Sequence, residues 1–295
     1  MRPSGIRAEY RTNGFAYLLI LPAALLVLSV VVYPVYFAAE FSLHSSVIFA
    51  PGDFVGLDNY RALGSTSILQ NAVASLIFIA GSIVLAVGAG LGLALLLDGR
   101  VALRTTFRTV IFIPWVTSQI ASGLVWRWLV NPDYGPVVHG LQELGAPRVD
   151  VLGDSALAMM LLIFTNAWRS VAFSMIVILS GLQTIPESVT RSALIDGAGR
   201  WRTFTEITFP LLLPSIFVCV ITSTFSYFNI ITIPLVLTGG GPQNATEIIT
   251  LRMYREAFSY FNVGFASAIT ILILAFNIGL TFLYLKLPGN KGIMQ

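Results

Sequence analysis

The sequence predicts an all-α integral membrane protein with six transmembrane helices and both termini in the cytoplasm. Three observations predict it. Of 295 residues, 56% are apolar and only 11% charged, against about 25% charged in a soluble domain, too little charge to cover a water-facing surface of this size. Six apolar runs, 14–38, 71–97, 108–130, 157–183, 207–237 and 263–287, are each long enough to cross a bilayer as helix. With the N-terminus inside, the cytoplasmic segments hold Arg2, Arg7, Arg11, Arg100, Arg104, Arg108, Arg191, Arg200, Arg202, Lys286 and Lys291, while the outer loops hold only Arg61, Arg148, Arg252 and Arg255. That asymmetry follows the positive-inside rule. The chain reads as one membrane domain, 14–287, between cytoplasmic tails 1–13 and 288–295.

The first run follows a basic start, as a signal peptide does. It is about 25 residues long rather than the about 7 to 15 of a signal core, and no small-x-small cleavage site follows, so a retained helix is expected. Throughout, helix is favoured over strand because backbone amides in hydrocarbon must pair within their own segment and period-2 alternation is absent. In the second run, Gly88, Gly90 and Gly92 imitate a dinucleotide fingerprint but follow no strand, and Gly88 and Gly92, four apart, are expected to serve close helix packing. The third run ends in Trp126-Arg127-Trp128, an aromatic belt with a snorkelling arginine. Arg169 falls near the middle of the fourth run and must face a cavity or a polar partner. Pro22, Pro34, Pro114, Pro210, Pro214 and Pro234 interrupt or cap the runs. Such breaks survive in a membrane only where protein or a water-lined cavity satisfies the freed backbone, which favours a transporter over an inert anchor.

All fourteen acidic residues, from Glu9 to Glu256, fall in tails or loops. Proton-coupled and many sodium-coupled transporters use intramembrane carboxylates, so the driving force is expected from another subunit, or the chain is a passive channel or facilitator. His44 and His139 are assigned to outer loops and offer no relay. The single cysteine, Cys219, excludes an intrachain disulfide framework and a cysteine-rich metal site. No Gly-x-x-x-x-Gly-Lys-Ser/Thr phosphate loop occurs, and no triad or carboxylate pair of a membrane enzyme lies at a membrane face.

The longest internal cytoplasmic loop is 184–206. Pro186 can open a short helix, and Asp196-Gly197-Ala198-Gly199 can stop it with a left-handed glycine cap. Trp201, Phe204 and Ile207 recur at three-residue spacing and mark the apolar side of a second short helix. Two short helices meeting at a small-residue bend form either a knob that fills a partner's groove or a plain connector.

Here the residues carry a resemblance. Ile185-Pro186, Ser192-Ala193-Leu194-Ile195-Asp196-Gly197-Ala198, Trp201, Phe204, Ile207-Thr208, Pro210 and Pro214 resemble the cytoplasmic signature loop of ATP-binding-cassette (ABC) importer permeases, with the Gly-x9-Ile-x-x-Pro spacing met by Gly197, Ile207 and Pro210. Phe54-Val55-Gly56-Leu57-Asp58-Asn59-Tyr60 and Leu237-Thr238-Gly239-Gly240-Gly241-Pro242 resemble the carbohydrate-uptake branch, and the whole is most similar to the maltose-type permease half that pairs with a different permease. The resemblance implies a type I importer permease fold and a non-enzymatic subunit in the inner (plasma) membrane. The partners it implies are a second permease, two ATPase subunits and an extracytoplasmic sugar-binding protein. No cofactor is expected on this chain, ATP and magnesium being held by the ATPase; membrane lipid surrounds the chain, and no nucleic acid is involved. The loop is implied to be the coupling helix, carried by Arg191, Ser192, Ala193, Asp196, Gly197, Ala198, Trp201, Phe204, Ile207 and Pro210. The motif usually opens Glu-Ala-Ala; here Arg191-Ser192-Ala193 reverses the sign of that acidic contact.

Sugars are recognised by hydrogen bonds to hydroxyls and an aromatic face under the ring. In the fourth run Asn166, Arg169, Ser170 and Phe173 follow i, i+3, i+4, i+7 and share one helical face. In the fifth, Thr222 to Asn229 are rich in polar side chains, and Ser226, Tyr227 and Asn229 are the candidates there. By resemblance these faces line the substrate path; hydroxyls in such helices also bond backbone carbonyls. Arg169 can fork onto sugar hydroxyls, pair with an anionic substrate, or pair with the other permease.

Overall fold

The structure, a computed structural model, describes residues 5–47, 50–99 and 103–286. Arg2, Arg100, Lys291 and the expected tail 288–295 lie outside them. In chain order the elements are α1 (Gly5–Ser42), β1 (His44–Val47), β2 (Ala50–Phe54), α2 (Asp58–Ala62), α3 (Thr66–Asp98), α4 (Arg104–Val116), α5 (Gln119–Leu129), α6 (Pro136–Glu143), α7 (Ser155–Thr184) and α8 (Glu187–Ile195). There follow α9 (Arg200–Thr203), a π-helical turn (Phe204–Thr208), α10 (Phe209–Phe228), α11 (Thr232–Leu237), α12 (Ile249–Phe258) and α13 (Val263–Lys286).

Among the described residues five helical stretches are long and apolar enough to cross a membrane, and the bent pair α4 and α5 makes a sixth candidate. Their positions follow the six apolar runs, with four departures. The loop after the first run contains an antiparallel hairpin, β1 with β2, in a chain read as all-α. The third run is two helices meeting at 97°, because Pro114 removes a backbone donor near the end of α4 and Thr117 and Ser118 are extended. The fifth run stops at Phe228 and resumes as the short α11. The expected second helix of the 184–206 loop is not separate: α9 continues through the π turn into α10. Pro210 has no N–H to give Glu206, and the Phe209 amide reaches Phe204 instead, one residue further back than in an α-helix.

The chain divides into two compact units. One comprises 1–63 and 256–274. In it the Phe54–Tyr60 motif ties the hairpin to the end of α1: the Asn59 amide donates to the carbonyls of Ser42 and His44 at 2.9 and 3.0 Å, and the Tyr60 hydroxyl meets Ser42 Oγ at 2.7 Å. Gly56 turns the chain at φ 58°, a conformation that favours glycine.

The other unit, 64–255 with 275–295, carries the site. Its axis is α7, packed along α3 and also against α4 and α10. Asp154 caps α7 by accepting from the amides of Ala156 and Leu157. Ala94, Leu97, Met175, Ile178, Leu179, Leu182, Leu212 and Cys219 form its buried cluster. Between helices in lipid, close packing replaces the hydrophobic drive, so small residues decide the approach. Gly88 and Gly92, expected to serve it, have open space where a Cβ would stand; the close positions are Gly81, against Ile163, and Gly90, where a Cβ would lie 2.6 Å from Ser174 Cβ and 3.0 Å from the Met175 amide nitrogen. Residues two apart on a helix point about 200° from each other, so Gly90 meets α7 only by turning Gly88 and Gly92 away. Gly90→Val is therefore expected to spread α3 and α7, at about 1–3 kcal/mol for overpacking, and to reduce the monodisperse fraction on size-exclusion in detergent; Gly88→Val is expected to leave that profile unchanged.

Candidate functional site

Asn166, Arg169, Ser170 and Phe173 lie on one face of α7, and Thr222, Ser223, Ser226 and Tyr227 lie on the face of α10 turned toward it. Between them is a cavity of about 240 Å³. Ile230, just beyond α10, adds to the lining, and Trp115 and Gln119, which flank the break between α4 and α5, close the third side. Six of the seven path residues named from sequence thus come together. The seventh, Asn229, does not: at the end of α10 its amide donates to the Phe225 carbonyl at 2.8 Å, and it stands outside the lining. Asn229 is the C-cap residue of α10, with φ −102° and ψ 6°, so the helical repeat that would place it beside Ser226 ends there. Trp115 and Gln119 escaped sequence reading because they sit in an apolar run taken as continuous. The signal for them was the polar interruption Thr117-Ser118-Gln119, which begins three residues after Pro114.

The lining has one cation, two amides, several hydroxyls and three aromatic rings, and among the described residues no acid. No cluster of three or more His, Cys, Asp or Glu side chains able to hold a metal occurs among the described residues. Arg169 is half-buried, and its Nε donates to the Thr117 carbonyl at 3.3 Å. Asn166 is buried, and neither polar atom of its amide has a hydrogen-bond partner among the described residues. An amide left so costs about 1–3 kcal/mol. Donors, acceptors and aromatic faces around a small cavity can bind a neutral polyhydroxylated solute.

At one end of α7, away from the cavity, lies the 184–206 loop. Gly197 follows α8 at φ 80°, and the Ala198 amide returns to the Ala193 carbonyl at 2.9 Å, a Schellman closure. Ala193 is buried, whereas Ser192, Asp196, Gly197 and Trp201 are exposed and Ala198, Phe204 and Ile207 are half-buried. Ile195 and Trp201 present large apolar side chains to the outside, 85% and 76% exposed. Pro210 sits at the start of α10 beyond the π turn. Arg191 is paired within α8, its guanidinium donating to Glu187 at 2.9 Å with both side chains exposed; such an i, i+4 pair is worth only about 0.3–0.5 kcal/mol.

The glycine run after α11 is held from beneath. Gly239 and Gly240 have φ of 60° and 83°. Glu247, 2% exposed, accepts from Arg255 at 2.6 Å and from Asn71 at 3.1 Å, lies 3.7 Å from Arg252, and Arg255 also donates to the Gly239 carbonyl. A Cβ on Gly240 would press on Glu247, Arg255 and Leu251 at 3.2–3.3 Å.

With this geometry in hand, comparison with known proteins is informative. Residues 86–287 match the family described as binding-protein-dependent transport system inner membrane component. The chain is 36% identical over 285 residues to the trehalose/maltose transport system permease protein MalF of Thermococcus litoralis, covering 95% of each chain. It is 33% identical over 284 residues to the sulfoquinovosyl glycerol transport system permease protein SmoG of Agrobacterium fabrum, covering 94% of this chain and 91% of that one. Among solved structures, a chain of a bacterial alginate ABC transporter in complex with an alginate pentasaccharide-bound periplasmic protein superposes with a TM-score of 0.82 over 94% of both chains at 20% identity, which bears on the fold.

Proposed function

The chain belongs to the binding-protein-dependent transport system inner membrane components, and we propose from that how it works as a permease subunit of an ATP-driven carbohydrate importer. It is a multi-pass inner-membrane protein, similar in sequence to permeases of sugar and sugar-glycerol uptake. The α7–α10 cavity is this chain's half of the solute path. The observation that carries this reading is a lining of amides, hydroxyls and rings around one arginine, with no acid among the described residues. Its volume, below the about 300 Å³ of a complete small-molecule site, agrees with a second, different permease supplying the other half. An extracytoplasmic binding protein delivers the solute. Both termini face the cytoplasm, the spanning domain being 14–287. The chain binds no cofactor and hydrolyses nothing; ATP and magnesium belong to two partner ATPase subunits.

The 184–206 loop docks in those ATPase subunits as the coupling element. Ile195 and Trp201 supply exposed apolar surface for a groove, and docking rests on them and on the small residues around Gly197 rather than on an acidic contact. Motion passes along two rigid lines. α7 leads from the loop to Phe173, Ser170, Arg169 and Asn166, and the continuous helical stretch Arg200–Phe228 leads from Trp201 to Tyr227, about 39 Å at 1.5 Å per residue. Rocking the loop therefore moves both walls of the cavity.

The test is coexpression with a second permease and a tagged ABC ATPase, purification, and uptake into proteoliposomes of labelled maltose, trehalose and sulfoquinovosyl glycerol with a binding protein present. Co-purification and ATP-dependent uptake are expected. Uptake by the purified chain alone, without ATPase association, overturns the reading in favour of a channel or facilitator.

A further inference from the structure

The cavity's third wall depends on a break in a spanning segment. Thr117 and Ser118 are extended between α4 and α5, and the Ser118 carbonyl already accepts from Ser122 as the first bond of α5. The Thr117 carbonyl lies one residue earlier, outside that ladder. A carbonyl freed in a membrane must find a donor inside the protein, and Arg169 Nε is that donor, from a helix 52 residues further along the chain. Trp115 and Gln119 stand two residues to either side of Thr117, and both line the cavity. Fixing the Thr117 carbonyl therefore fixes both.

We propose that Arg169 is a positioning residue: it holds the bend of the third span against α7, so that Trp115 and Gln119 become a third wall of the solute path beside the faces of α7 and α10. The inference rests on reading the cavity as that path. A guanidinium suits the task because one edge can bond the carbonyl while its other N–H groups stay directed elsewhere; a lysine ammonium, a point donor on a flexible stem, replaces it only in part. No acid among the cavity-lining residues competes for it.

The experiment uses the assembled importer with Cys219→Ser, which removes the chain's single cysteine. A neutral methanethiosulfonate reagent, whose rate does not respond to the loss of the arginine's charge, is applied to Gln119→Cys and, separately, to Ser226→Cys on α10. Gln119→Cys is expected to react. Adding Arg169→Met is expected to change its rate by about fivefold or more, the population ratio that a hydrogen bond of ordinary net strength holds, with the Ser226→Cys rate unchanged; Arg169→Lys is expected to return the rate toward that of the arginine protein. A Gln119→Cys protein that does not react overturns the third wall. Equal rates with Arg169 and Arg169→Met, or an equal change at Ser226→Cys, overturn the positioning role. The labelling needs no transported sugar, so it can fail while ATP-dependent uptake stands, and uptake without an ATPase would sink the importer reading while leaving the labelling pattern intact.

Discussion

Gly197→Val is expected to abolish coupling while leaving the membrane domain intact. Gly197 has φ 80°, and a β-branched residue is a strained outlier in that region, at a cost of about 1–3 kcal/mol. A Cβ there meets nothing within 4 Å, so the strain cannot spread by collision and is relieved by unwinding the local Schellman closure between Ala198 and Ala193. Ile195 and Trp201 then lose their fixed relation. ATP-dependent uptake is expected to fall about tenfold or more, the factor that such a strain sets, at unchanged expression and unchanged size-exclusion profile. Gly197→Asn separates conformation from side-chain presence, because asparagine tolerates left-handed backbone. It is expected to keep most of the uptake. Equal loss in the valine and asparagine proteins would show that the cap conformation is not what coupling uses.

The second large effect concerns stability. Glu247→Leu removes the acceptor on which Arg255 and Asn71 converge and which stands beside Arg252. Breaking a buried ion pair by deleting one partner costs about 3–5 kcal/mol, and here the loss also releases the Gly239–Gly241 turn. The melting temperature of the purified protein is expected to drop by roughly 5 °C or more, whereas Glu247→Gln, which keeps an acceptor oxygen, is expected to drop less. Glu247→Leu melting at the parent temperature would show that the arginines find other partners.

The sequence reached the apolar runs, the glycine-capped 184–206 loop and most of the cavity for one reason: each is written in residues close together along the chain. The face Asn166-Arg169-Ser170-Phe173 is a helical spacing, and the Gly197 cap is a local backbone requirement met by one residue type. Arg169 was legible as an arginine in need of a partner, since a charge at midplane is costly wherever it sits. That its partner is a carbonyl was not, because every residue has one, and only a break elsewhere leaves one free.

Glu247 shows the same limit from the other side. The sequence placed it only as one acid among fourteen in tails and loops, yet it is buried among groups from α3, α12 and the glycine run. Gly88 and Gly92 had the spacing of a packing motif, but spacing cannot say which side of α3 meets α7; the contact fell on Gly90.

What the sequence by itself determined is the membrane class, the number of apolar runs and the absence of acids from those runs. Those properties depend on composition and on what hydrocarbon permits, and neither changes with the arrangement of helices. What only the tertiary structure decided is where the third span bends, which face of each helix meets another, and that Arg169 meets Thr117. These are matters of contact between residues far apart in the chain, where many partners satisfy the same local rules and the packing selects one.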